Sequence, residues 1–158
     1  MAHWPKANHN FVAEYQGSSI PFVTSSVADE VGATTPIEVR FPGVTRWLEV
    51  RNTGAKDLKV GFTSLGVQGK GAVSGSLRPG TTPASAEQRT AHHANYVIIP
   101  TAGTGEPAVS SRWELKTNTV FFLAASVTTD FTLIAGITNI PNDGFVKLSG
   151  SLGYDGVG

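Results

Sequence analysis

The sequence predicts an all-β chain, specifically a single jelly-roll β-sandwich of about eight antiparallel strands with short extra N-terminal strands. Three observations carry that prediction. The composition holds 18 Gly and 9 Pro with abundant Thr and Ser and few Glu or Lys, which supplies turn-formers and β-formers but little to build helices from. Apolar and polar residues alternate in one short run after another, as strands with one buried face require. No window holds an apolar period of about 3.6 residues over three turns.

In chain order, residues 1–10 (MAHWPKANHN) are polar, contain His3, Trp4 and His9 and have no periodicity. They read as an arm lying over the surface or reaching a neighbour, with 11–158 as the folded domain. Residues 11–15 and 20–24 are short apolar runs split by Gln16-Gly17-Ser18-Ser19, the pattern of an initial hairpin at a sheet edge. In 36–41, Ile37, Val39 and Phe41 fall on one face, and Pro42-Gly43 ends the run. Residues 43–63 form the most regular stretch and read as a β-hairpin. Val44, Leu48 and Val50 share its buried face, whereas Thr45, Trp47, Glu49 and Arg51 point to water. Residues 52–57 then supply the Asn, Gly and Asp of a turn, and Leu58, Val60 and Phe62 return on one face.

For about thirty residues, 64–94, the alternation stops, and a connection that long in a compact domain is functional or mobile. It resumes at 95–100. In 112–117, Trp113 and Leu115 point inward; 119–125 is apolar on both faces; and in 130–138, Phe131, Leu133, Ala135 and Ile137 share a face. Residues 141–144 mark a turn, and 145–148 form a last short strand before a Gly-rich tail. A long mid-chain excursion suits the crossing connections of a jelly roll better than the rival up-and-down barrel.

Chemistry is sparse. Lys plus Arg equal Asp plus Glu at 12 each, so the basic excess that drives phosphate-backbone binding is missing and no nucleic-acid partner is expected. Without cysteine there are no disulfides or thiolate sites, which suits folding in a reducing compartment. No stretch approaches the apolar length of a membrane span, and the first ten residues lack the apolar core of a signal peptide. The four histidines, His3, His9, His92 and His93, fall in arm or loop, and adjacent His92 and His93 would point to opposite sides of a strand. No metal site is therefore expected. Residues 61–66 (GFTSLG) hold the serine one place late for a nucleophile elbow, and 66–71 lack the Lys-Ser/Thr and helix of a phosphate cradle. The scattered acids give no paired-carboxylate signal. The chain reads as non-enzymatic, with no catalytic residue, cofactor or metal.

What stands out is apolar residues where a lone sandwich should have polar ones. Phe121 and Leu123 alternate with Val120 and Phe122, and Val97 and Ile99 with Tyr96 and Ile98. The second faces must be covered by the chain's own loop, by the arm or by another subunit. With outward Trp47 and Trp4 of the arm, Phe121, Leu123, Val97 and Ile99 are the candidate subunit-interface residues.

The segments FPGVTRWLEVRNTGAKDLKVGFTSLGV, NYVIIP, ELKTNTVFFLAAS, FTLIAGITNIP and LSGSLGYDGVG, with the early EYQGSSIPFVTSS, together resemble the small penton proteins at the fivefold vertices of large icosahedral double-stranded DNA viruses, particularly those of algae. The resemblance spans 11–158. It implies a jelly roll made in the host cytoplasm and built into the virion capsid as a homopentamer, touching neighbouring major and minor capsid proteins, with no enzymatic activity and no active-site residue to carry over. A ring of five requires two different patches that meet head to tail. The residues alone also permit a lectin-like carbohydrate-binding β-sandwich with Trp47 or Trp113 as a stacking platform.

Overall fold

Where alternation was regular, strands form. The computed structural model describes residues 19–69, 95–101 and 108–145, nearly all β with antiparallel sheets. The strands are β1 (Ile20–Ser25), β2 (Val31–Gly32), β3 (Ile37–Arg40), β4 (Thr45–Asn52), β5 (Leu58–Gly61), β6 (Tyr96–Ile99), β7 (Ala108–Val109), β8 (Thr119–Ala124), β9 (Thr128–Thr129) and β10 (Phe131–Ile137). A one-turn helix α1 (Ser64–Val67) follows β5, and a 3₁₀ turn spans Asn142–Gly144. The arm with Trp4, the run 11–15, residues 70–94 of the long connection and the predicted strand beyond Phe145 lie outside the described residues.

Two four-stranded sheets, ordered β1-β10-β4-β7 and β3-β8-β5-β6, are joined by a short β2-β9 ladder. The pairs nest: β1 with β10, β3 with β8, β4 with β7 and β5 with β6, all antiparallel. The chain runs as though one long hairpin had been rolled up, with its tip between β5 and β6. Neighbours in an up-and-down barrel would be consecutive, and most here are not.

The core lies between the sheets. Leu48 and Val50 of β4 and Phe131, Leu133 and Ala135 of β10 face Leu58 and Val60 of β5 and Val120 and Phe122 of β8, all 2% exposed or less. Phe131 stacks on Phe122 across the gap at 3.9 Å between centroids, and Phe22 of β1 meets Phe41 edge-on at 5.2 Å. Each large apolar side chain buried this way contributes roughly 1.5–3 kcal/mol. The inward residues predicted for 130–138 are those buried on β10.

The expected hairpin at 43–63 is not formed. β4 and β5 belong to different sheets, because the faces that alternation marks as buried, Leu48 with Val50 and Leu58 with Val60, meet across the core instead of lying side by side. The corner is built on Asn52, which is 0% exposed. Its Nδ2 donates to the carbonyls of Lys56 (2.8 Å), Pro100 (2.9 Å) and Ile99 (3.2 Å), and its Oδ1 accepts from the Gly54 N–H and the Thr129 hydroxyl, each at 3.1 Å. A local turn signal thus serves as a sheet-to-sheet corner. β1 sits at a sheet edge, as expected, and pairs with β10; the first run of the expected initial hairpin, 11–15, lies outside the described residues.

Residues 112–117 make no continuous strand. Trp113 exchanges backbone hydrogen bonds with Leu48 at 2.8 and 2.9 Å. Farther along, the Thr45 N–H donates to the Thr117 carbonyl at 2.8 Å, and the buried Thr45 hydroxyl adds to the ladder, accepting from the Thr117 N–H at 3.0 Å and reaching the Leu115 and Thr117 carbonyls. Trp113 and Leu115 still pack against the core. The start of the long connection is also ordered: Thr63 caps α1, its hydroxyl accepting from the Gly66 N–H at 3.0 Å.

Replacing Asn52 by Ala removes the side-chain donor to the Ile99 and Pro100 carbonyls and the acceptor of the Gly54 N–H, while the Thr129 hydroxyl still reaches the Lys56 carbonyl at 2.8 Å. The Asn52→Ala variant should lose about 3 kcal/mol of stability in urea unfolding, whereas Asn139→Ala, at an exposed position, should change it by less than about 0.5 kcal/mol.

Candidate interaction surface

Part of the outward strand surface is polar by a repeated device. On one face of a strand, residues i and i+2 are neighbours, and Glu–Arg pairs occupy such positions: Arg40–Glu38 at 2.7 Å, Arg51–Glu49 at 2.9 Å and, beside β4, Arg112–Glu114 at 2.8 Å. The hydrogen bond and charge of Glu38 hold the Arg40 guanidinium above its ordinary pKa. Such exposed pairs contribute little stability. Each pair keeps its stretch of strand surface polar while cancelling its own charge.

Trp47 belongs to this outer surface, as predicted, and is half-buried. Its ring lies over Gly136 of the neighbouring strand, where any Cβ would collide with the indole nitrogen and with Ser19. The indole N–H donates to the Ser19 hydroxyl at 3.1 Å, and the Arg112 guanidinium lies over the ring at 4.5 Å, a cation–π contact. Trp113 packs inward against the core. A sugar ring would have to displace Arg112 before it could stack on Trp47, and it would find Trp113 committed elsewhere.

On the outer face of the second sheet, Phe121 and Leu123 lie opposite Gly61 and Lys59 of β5. The chain itself covers this face. Helix α1 packs on β5 and β8, and the missing side chain of Gly61 lets Val67 approach: a Cβ at Gly61 would stand 3.0 Å from Val67 Cβ. Leu123 is 3% exposed and Phe121 is half-buried. Ile99, also 3% exposed, points into the core. The chain's own packing therefore accounts for Leu123 and Ile99, which offer almost no area to a partner.

Among the described residues, Val27 and Val127 are exposed in loops and Leu65 on α1, and the other large exposed apolar side chains collect at two sheet edges. At one, β6 and β7 close the two sheets, and Val97, Ile98 and Val109, each about half exposed (51%, 51% and 48%), border a groove of about 150 Å³ floored by Ile99, Pro100 and Trp113. At the other, β1 carries Ile20 (57%) and Val23 (63%), and Ile20 with Phe22, Pro42, Ile137 and Ile140 lines a cavity of about 250 Å³. Of the candidate interface residues, only Val97 lies on such a patch. Sequence reasoning missed Ile98, Val109, Ile20 and Val23. Ile98 and Val23 were legible as apolar residues on the face opposite their strand's buried one; Val109, in a two-residue strand, carried no signal.

Among the described residues, no group of three or more His, Cys, Asp or Glu side chains could hold a metal ion, and no helix is long and apolar enough to cross a membrane. The four histidines lie outside the described residues. Comparison with known proteins returns no match: no family model, no curated protein and no solved structure is significantly similar to this chain.

Because Gly136 provides the seat for Trp47, Gly136→Ala should push the indole outward. The expected result is a red-shifted Trp emission with increased acrylamide quenching and a loss of about 1–3 kcal/mol; Gly32→Ala, where a Cβ meets nothing within 4 Å, should leave the spectrum unchanged.

Proposed function

We propose that the chain is a jelly-roll capsid subunit that closes into a pentamer at the fivefold vertex of an icosahedral virus particle. Its work is structural: it meets neighbouring capsid proteins through its arm and loops and transforms no substrate. The nested pairing of β1 with β10, β3 with β8, β4 with β7 and β5 with β6 supports the jelly-roll reading, since a rolled hairpin of eight strands in two sheets is what that architecture consists of.

The observation that carries the assembly is the presence of two unlike apolar patches on opposite edges of the sandwich, Ile20 and Val23 on β1 and Val97, Ile98 and Val109 on β6 and β7. A two-fold dimer would need one self-complementary patch; a ring needs two different ones, each meeting the other on the next copy. Zero formal net charge allows copies to approach without strong mutual repulsion. Similarity of the strand segments to vertex proteins favours five copies over another closed number.

Light scattering and native mass spectrometry of the purified chain, alone and with its capsid partners, test this reading. The expected species is five times the 16.6 kDa chain mass. Val97→Asp and Ile20→Asp should each abolish the ring, and an equal mixture of the two variants should give dimers, because each retains the patch the other lacks. A chain that stays monomeric at high concentration even with those partners, or one that forms a two-fold dimer through a single patch, would refute it.

A further inference from the structure

Between β1 and β2 the backbone takes an uncommon path. Ala28 and Asp29 both have left-handed conformations, with φ of 62° and 59°. For residues with a Cβ this region is strained, and two in succession persist only where the surroundings hold them. What holds them comes from Asp130, the residue just before β10. Asp130 Oδ2 accepts the Asp29 N–H at 3.0 Å, and Oδ1 accepts the Glu30 N–H at 3.3 Å and the Ser26 hydroxyl at 3.1 Å. Ser26 is itself buried. Its backbone N–H donates to the Phe131 carbonyl at 3.0 Å, and its hydroxyl oxygen accepts the Phe131 N–H at 2.9 Å.

One carboxylate therefore grips the loop at both ends, against the strain of the two residues between them. We infer that Asp130 is a latch: loop 26–30 exists in a latched and a released state, and the carboxylate's bonds to the two amides select the first. The latched loop holds Val27, 72% exposed, in one position at the end of the sandwich that also bears Val127, 73% exposed. A contact point fixed in advance loses less freedom when a partner touches it. The latch is a property of the single chain and is independent of assembly.

Site-resolved hydrogen exchange on the full chain tests it. In Asp130→Asn, which has one acceptor oxygen in place of two, the Asp29 and Glu30 amides should exchange at least tenfold faster while those of Leu133 and Ala135 on β10 stay unchanged. Rates at both amides within twofold of wild type would overturn the latch, as would a matching acceleration along β10. Ala28→Gly provides a second test that leaves the carboxylate intact. By relieving strain it should slow exchange at Glu30 severalfold, and faster exchange there would count against the latch.

Discussion

At the corner between β4 and β5, a buried carboxamide binds three carbonyls and two donors. An amide taken out of water needs partners for each of its polar atoms, and those of Asn52 come from the Lys56 and Gly54 turn, from the end of β6 and from Thr129 of β9. That requirement places the first sheet, the second sheet and the small β2-β9 ladder at one point. With β4 sent to one sheet and β5 to the other, the next strands find their places against edges already present: β8 beside β5 and β10 beside β4. The apolar faces then meet face to face, and the Phe131–Phe122 stack closes the gap between the sheets.

Water-facing surfaces are handled differently on the two sheets. On the first, Glu49–Arg51 and Arg112–Glu114 neutralise the strand face, and Arg112 also covers Trp47. On the second, α1 packs on β5 and β8, made possible by the bare backbone of Gly61 opposite Phe121. Both solutions stop at the sheet edges. β1 carries Pro21 and β3 carries Glu38 and Arg40, features that discourage uncontrolled pairing of an open edge. By contrast, β6, with sequence YVII, has no charge and no proline. The apolar area at the β1 and β6–β7 edges lies beyond the reach of the ion pairs and the helix, so the proposed assembly would join copies edge to edge.

The all-β character, the turns and most strand positions were legible in the sequence because they rest on period-two alternation, which each strand carries by itself. Outward Trp47, inward Trp113 and the buried face of β10 were legible for the same reason. The candidate surface was less so. Val97 and Ile99 belong to one strand and one face, yet Val97 sits at the rim and Ile99 in the core, a difference set by how far the opposite sheet extends. Leu123 looked available because a strand pattern cannot reveal what other parts of the chain will pack over its outer face.

What this sequence determined unaided is which residues seek burial and where the chain turns, since both follow from side-chain chemistry and local backbone preference. Which strand lies beside which was decided by the tertiary structure alone. The 43–63 segment has the same alternation whether its two runs pair in one sheet or face each other across a core, and the choice is made by distant groups. Thr129, the carbonyls of Ile99 and Pro100, and the strands β8 and β10 are all far away in sequence, and they meet Asn52 and its neighbours only once the chain has rolled up.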